Sequence, residues 1–325
     1  MKITIVDIRH WDSMGSLRNS AVLLFFNKLY WYGYPLTTIL ALVTVSLFNK
    51  TNVGVWKETN KIDNVIKEMS LNKELREENR KIWCSTNFVI LPYVLHYVIL
   101  NSPHWTWFEA VQTFTLSIVN LSVKVQYYTF ISHIARRFAI FNDFLEKTAK
   151  TFVTSKNYEL GAKIVLLADQ HKLLVDLARI VNKIYSFLLF SYICFDSVIV
   201  ITHIYLLLHV TVGGSTLEQI KNTLHLILPN LFSAVFDLWL LTSCSSVVCI
   251  EANATNAVLY ELTSGSENTI SPNRIKQISF HLMNNKLSIT ALALFNVDFT
   301  MVYSVSYTVC PQIHSQHGYL PYYER

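Results

Sequence analysis

Long apolar runs alternate along the chain with polar stretches rich in Lys and Arg, and each run approaches the ~20 residues an α-helix needs to cross a bilayer core. Six stand out, at residues 21–48, 82–100, 110–131, 184–210, 226–250 and 287–310. Charges inside them are few: Lys28, Lys124, Asp196, Asp237 and Asp298, with none in the second run. Strands cannot account for runs of this length, because an open sheet edge in lipid would leave backbone donors and acceptors unsatisfied. The pattern predicts an all-α, polytopic helical membrane protein with about six visible spans.

The stretches between runs carry a pattern of their own. Leu160, Ile164, Leu167, His171, Leu174, Ala178, Val181 and Tyr185 recur at alternating steps of four and three, the stripe of a helix packed against another helix. Ile134, Phe138, Phe141 and Leu145 extend the third run in the same way. Both are expected to leave the membrane as long helices and form a bundle beyond it. The competing reading, an amphipathic helix lying on anionic lipid, calls for a richer basic face.

Charge then gives an orientation. Residues 49–81 hold eight Lys and Arg, 132–183 hold nine and 251–286 hold three, whereas 101–109 hold none and 211–225 only Lys221. Lys and Arg in short loops stay on the cytoplasmic side, so the first three segments are expected there and the C-terminus outside. The boundaries divide the chain into an N-terminal segment 1–34, a transmembrane unit 35–310 with cytoplasmic extensions 133–184 and 251–286, and a polar tail 311–325.

Composition agrees: 52% hydrophobic and 15% charged, against roughly a quarter charged in soluble domains. A formal charge of +5 lacks the concentrated basic character of a nucleic-acid binder. The five cysteines lie in or beside apolar runs, unlike a secreted disulfide scaffold. Sparse Gly and Pro, 8 and 7 residues, disfavour a turn-rich β fold.

Enzyme motifs do not emerge. No G-x-S-x-G, H-E-x-x-H, P-loop or C-x-x-C is present, so no enzymatic activity, metal or cofactor is expected. His314 and His317 are three apart in the tail but lack an obvious third ligand. Intramembrane charges are expensive, so Lys124, Asp196 and Asp237 are functional candidates, with a plain interhelical ion pair as the alternative. Trp31, Tyr32, Tyr34, His96, Tyr97, Trp105, Trp107, Glu109 and Gln112 gather near the outer span ends. They fit either an interfacial aromatic belt or an outward pocket for a small molecule. His96, Trp107, Gln112, Asn230 and Asp237 are the expected ligand-binding residues.

Residues 280–305, FHLMNNKLSITALALFNVDFTMVYSV, are more specific. They resemble the segment leading into the last helix of insect gustatory receptors, which runs much like FsLqLLhnKlsfTAcGlFnlDftLlySi. Phe280, Leu282, Lys286, Thr290, Ala291, Leu294, Phe295, Asp298, Phe299, Thr300 and Tyr303 carry the match. CIEANATNAVLYEL, 249–262, looks like the end of that family's sixth helix, and VQYYTFISHIARRFAIFNDFLEK, 125–147, like its fourth. The resemblance implies a seven-helix chemoreceptor with a cytoplasmic N-terminus, assembled as a homo- or hetero-tetramer around a cation pore lined by the last helix. A tastant pocket in each subunit and a place in the plasma membrane follow from it. The family usually carries another span before residues 21–48, so residues 1–34 read as a remnant of it or as the start of the first visible span. The family also ends close to T-Y-x-x-x-x-x-Q-F, of which Ser306, Tyr307 and Gln312 give a loose echo and Ile313 replaces Phe. Pro311 breaks a helix there, and 306–325 read as unrelated tail. Gustatory receptor is therefore the expected function. Its rivals are a non-conducting subunit that modulates full-length partners and a small transporter using Lys124, Asp196 and Asp237.

Overall fold

The computed structural model describes residues 21–100, 107–152, 158–212, 217–264, 280, 284–301 and 303. These form five long helices: α1 (Ala21–Glu68), α2 (Asn72–Leu100), α3 (Trp107–Phe152), α4 (Tyr158–Val212) and α5 (Leu217–Ser264). An antiparallel hairpin follows, pairing β1 (Thr290–Ala291) with β2 (Phe295–Asn296) in the register Thr290 with Asn296 and Ala291 with Phe295. Stretches long and apolar enough to cross a membrane lie at Tyr32–Glu68, Val165–Leu208 and Ile227–Thr255. The expected runs 82–100 and 110–131 fall within α2 and α3.

Most helices overrun their apolar runs into the polar stretches. In α1 the Lys-rich continuation keeps a buried stripe, Val55, Thr59, Ile62 and Ile66, at helical spacing. The helix ends where Ser70 adopts a left-handed φ of 65°. Leu71 N–H then reaches back to the Ile66 carbonyl and Ser70 N–H to that of Lys67, which satisfies the last carbonyls by a Schellman closure. The stripes read from the sequence are buried as expected. Ile134, Phe138, Phe141 and Leu145 on α3 meet Leu167, His171, Leu174, Ala178, Val181 and Tyr185 on α4 in one continuous core, so α4 is packed within a bundle and does not lie on lipid. Leu160 and Ile164 lie on α4 with side chains outside the described set.

Polar pins fix this basic end of the bundle. Arg137 on α3, 2% exposed, makes a bidentate pair with Asp63 on α1, at 2.8 Å from Nε and 2.7 Å from Nη2. Its Nη1 donates to the His133 carbonyl and to His133 Nδ1, both at 2.8 Å. Thr255 on α5 donates to Asn142 Oδ1 on α3, and Asn142 Nδ2 donates to the Glu251 carbonyl at 2.8 Å. His171 Nε2 donates to the Ala252 carbonyl at 3.0 Å. Nearer the other end, Gly33 lets α1 approach α4: a Cβ there would sit 2.7 Å from the Phe195 ring.

One expectation is corrected. Residues 287–310 read as a single apolar span, yet the described part opens as extended chain and hairpin, and turns helical only at Phe299. Side chains from distant helices supply the backbone partners that a helix would find within itself. Asn253 on α5 donates to the Leu287 carbonyl and accepts its N–H, at 3.1 and 3.0 Å. Asn182 on α4 accepts the Thr290 N–H at 3.2 Å. Ser186 donates to the Thr290 carbonyl at 3.1 Å and accepts from Leu292 N–H at 2.6 Å. The turn places Leu292 and Ala293 at φ 52° and 58°, a region costing a non-glycine residue roughly 1–2 kcal/mol. Asp298 then caps the final helix, its Oδ1 accepting from Thr300 N–H at 3.0 Å.

Two outcomes follow. Ala293→Gly relieves the left-handed turn and is expected to stabilise by about 0.5–1 kcal/mol, read as a rise in melting temperature of about 1–3 °C. A fall instead would contradict the turn. Burial, and then the Arg137 guanidinium, hold His133 down at about 4. The folded chain therefore holds His133 neutral where the unfolded chain protonates it, so between pH ~6.5 and ~4 stability is lost as pH falls. A lower melting temperature at pH 5 than at pH 7.5 is expected, with a shallower slope in His133→Asn; an unchanged slope would contradict it.

Candidate functional site

The candidate charges named from the sequence meet in one place. Asn120 and Lys124 are four apart on α3, Tyr192 and Asp196 four apart on α4, and Asn230 and Asp237 seven apart on α5, so each pair shares a helix face. These faces converge where α3, α4 and α5 pack. Lys124 Nζ donates to Asp237 Oδ2 and lies 3.7 Å from Asp196 Oδ2. Its ammonium also stands 4.7 Å above the Tyr192 ring, within range of a cation–π contact. All three charged residues are buried, at 8%, 3% and 4% exposure for Lys124, Asp196 and Asp237.

Two carboxylates thus share one ammonium. Asp237 Oδ1 and Asp196 Oδ2 are buried without a hydrogen-bond partner among the described residues. A polar chain continues from this cluster to α1. Tyr192 OH donates to Asn120 Oδ1 at 3.2 Å, and Asn120 Nδ2 donates to Thr38 Oγ1 at 2.6 Å. One turn away, Tyr34 OH donates to Ser117 Oγ at 2.8 Å. Below the cluster, Tyr127 OH and Ser245 Oγ are 2.9 Å apart. The arrangement ties four helices through hydrogen-bonding capacity that only geometry of this kind can satisfy. Its surplus carboxylate oxygens can accept a proton, a water or a donor group from a ligand.

Of the expected ligand-binding residues, Asp237 is a member of this cluster. Asn230 is half-buried two turns before it on α5. His96 lies on α2 and Trp107 and Gln112 on α3, with side chains outside the described set. Of the last-helix motif, Phe295 sits in β2, Asp298 is the helix cap, Thr300 binds that cap and Tyr303 is 75% exposed. Tyr307, Gln312, His314 and His317 lie outside the described residues. Asn120 and Tyr192 were not singled out in the sequence, although each stands four residues before a singled-out charge. Among the described residues no group of three or more His, Cys, Asp or Glu could hold a metal ion.

The cluster has an asymmetric response to substitution. Lys124→Met leaves two carboxylates unpaired in apolar surroundings and is expected to destabilise by about 3–5 kcal/mol. Asp196→Asn removes the surplus charge and keeps the Lys124–Asp237 pair, at an expected cost under about 1 kcal/mol. Thermal unfolding of the detergent-purified protein checks both, and equal losses would show that the lysine does not organise the cluster.

Comparison with known proteins follows this geometry. The chain is 25% identical over 141 residues to the putative gustatory receptor 28b of Drosophila melanogaster, a match spanning 42% of this chain and 30% of that relative. The fold is similar to the solved insect olfactory receptor OR5 from Machilis hrabei, with a TM-score of 0.66 and 11% identity over 94% of this chain and 84% of that one. The same receptor in complex with eugenol gives a TM-score of 0.65 at 12% identity, over 92% and 82%. Residues 3–310 match the profile of the family described as 7tm Chemosensory receptor, and the chain belongs to that family.

Proposed function

We propose that the chain is a subunit of a tastant-gated cation channel, a gustatory receptor of chemosensory neurons. The gustatory relative in Drosophila melanogaster and the motif residues at 280–305 support the taste assignment. The observation that carries the channel reading is the last block. Asn182, Ser186 and Asn253 hold its backbone against α4 and α5, while Leu294, Phe299 and Tyr303 are exposed at 68%, 43% and 75%. A segment fixed on one side and apolar on the other suits packing against other copies around an axis, as a tetrameric pore requires. The Lys/Arg asymmetry supports a cytoplasmic basic bundle and a C-terminus outside, and the gustatory resemblance supports a place in the plasma membrane.

The ligand site is assigned to the half of the helices opposite the basic bundle, with His96, Trp107, Gln112, Asn230 and Asp237 contributing. A ligand gates the channel by its differential affinity for closed and open states. It is a small molecule: the eugenol complex of the fold relative is consistent with that class.

Expression in a cell line with a calcium reporter tests the reading. A panel of sugars, bitter compounds and amines is expected to include one that evokes saturable calcium entry. Trp107→Ala is expected to shift its dose–response at least about tenfold with surface expression kept. No response from surface-expressed protein, alone or beside a complete receptor, would overturn the channel reading. Response only with the partner present would assign it a modulatory role.

A further inference from the structure

The charges of the Lys124 cluster do not balance. Asp196 and Asp237 are 3% and 4% exposed, and the Lys124 ammonium is the cation that serves both: it donates to Asp237 Oδ2 and stands 3.7 Å from Asp196 Oδ2. Asp196 Oδ2 and Asp237 Oδ1 are buried with no hydrogen-bond donor among the described residues. The other titratable groups that the packed helices bring to this level, among the described residues, add no positive charge. Tyr34 on α1 lies within electrostatic reach of both carboxylates but donates to Ser117, and Tyr192 on α4 donates to Asn120. His203, two turns beyond Asp196 on α4, is turned to the Ile199 carbonyl at 2.8 Å, and Cys244, two turns beyond Asp237 on α5, donates to the Leu241 carbonyl at 3.3 Å.

An unpaired carboxylate is costly in apolar surroundings, and two carboxylates that share one site resist being ionised together. A metal ion, an organic ammonium or a proton would each restore the balance. A hard cation takes about six or more oxygen ligands, and among the described residues no group of three or more His, Cys, Asp or Glu could hold a metal ion. An organic ammonium needs room of its own, yet Tyr127, Tyr192, Ala234 and Leu241, which flank the three charges on the same helix faces, are all 3% exposed or less. A proton needs no volume, and the arrangement favours it.

We propose that the cluster is a proton-binding site: Asp196 and Asp237 hold one proton between them beside Lys124, and the packed arrangement of α3, α4 and α5 is the protonated state. Release of the proton leaves two buried carboxylate charges against one ammonium, which favours entry of water and looser packing. Asp196 and Asp237 ride on α4 and α5, the helices whose Asn182, Ser186 and Asn253 hold the backbone of the last block, so proton occupancy biases those contacts. The site rests on the charge balance of the cluster and not on the channel reading, so each can fail alone.

The test uses the purified full chain in nanodiscs and reads the infrared carbonyl band of a protonated carboxylic acid at neutral pH. Wild type is expected to show one such acid protected from rapid deuterium exchange. Asp196→Asn is expected to lose the band, and Asp237→Asn to lose it as well, because either change leaves one carboxylate for one ammonium. Asp143→Asn, which removes an exposed carboxylate on α3, is expected to keep it. Melting curves give a second readout. Above about pH 4 the folded chain binds one more proton than the unfolded chain, so until that proton is released the unfolding constant rises about tenfold per pH unit from this site. Asp196→Asn is expected to lack that slope, and the contribution of His133, common to both proteins, cancels in the comparison. A wild type without the band, a band kept in both aspartate variants, or equal pH slopes would overturn the site. Loss of the band from one aspartate variant alone would overturn the sharing of the proton.

Discussion

A lysine and two aspartates buried among apolar helices are the constraint to which the rest of the bundle answers. In hydrocarbon surroundings an unpaired charge costs several kcal/mol, so Lys124, Asp196 and Asp237 must be brought together before α3, α4 and α5 can pack. That requirement fixes the rotation of each helix about its own axis. The faces that remain are then set: Asn120 reaches Thr38 on α1, Tyr127 reaches Ser245 on α5, and the aromatic core below closes around Phe130, Phe138 and Tyr185. At the basic end, Arg137 with Asp63 repeats the same logic, one buried guanidinium fully matched by one carboxylate. The difference between the two clusters is instructive, because the upper one holds a surplus carboxylate and the lower one does not. Surplus polar capacity inside a bundle is where a ligand or a change of conformation can act.

The helices and their packing faces were legible in the sequence, and the reasons are physical. Twenty-residue apolar runs have no other stable form in lipid, and the stripe from Leu167 to Tyr185 shows its period openly. The charges were legible as candidates, because Lys124, Asp196 and Asp237 have no cheap place in a membrane. Their convergence was not legible, since it depends on which faces of α3, α4 and α5 meet. The helical continuation of α1 to Glu68 was hidden by its lysines, although Val55, Thr59, Ile62 and Ile66 keep the period. The hairpin was the hardest case. Residues 287–296 are as apolar as a span, and what holds them extended are Asn182, Ser186 and Asn253, more than thirty residues away in sequence.

Function enters where these two parts join. The last block of the chain is the family's most specific sequence in this protein, and it is also the segment whose backbone is held from outside. Asp298 starts a new helix just beyond the hairpin, so any movement of α4 or α5 reaches that helix through the Asn182, Ser186 and Asn253 contacts. Those same helices carry Asp196 and Asp237. A ligand that altered the partners of the buried carboxylates would thus act on helices already bonded to the start of the final segment, a physical route for coupling that requires a two-state rearrangement of α4 and α5.

The measurement that bears most directly on this account is a double-mutant cycle between Lys124 and Asp237, using Lys124→Met and Asp237→Leu separately and together in the purified full chain. A lysine that organises the cluster predicts a coupling energy of about 1–3 kcal/mol, with the double variant more stable than the sum of the single losses. Losses that add within about 0.5 kcal/mol would contradict it, and would remove the buried charges as the constraint that orients the helices.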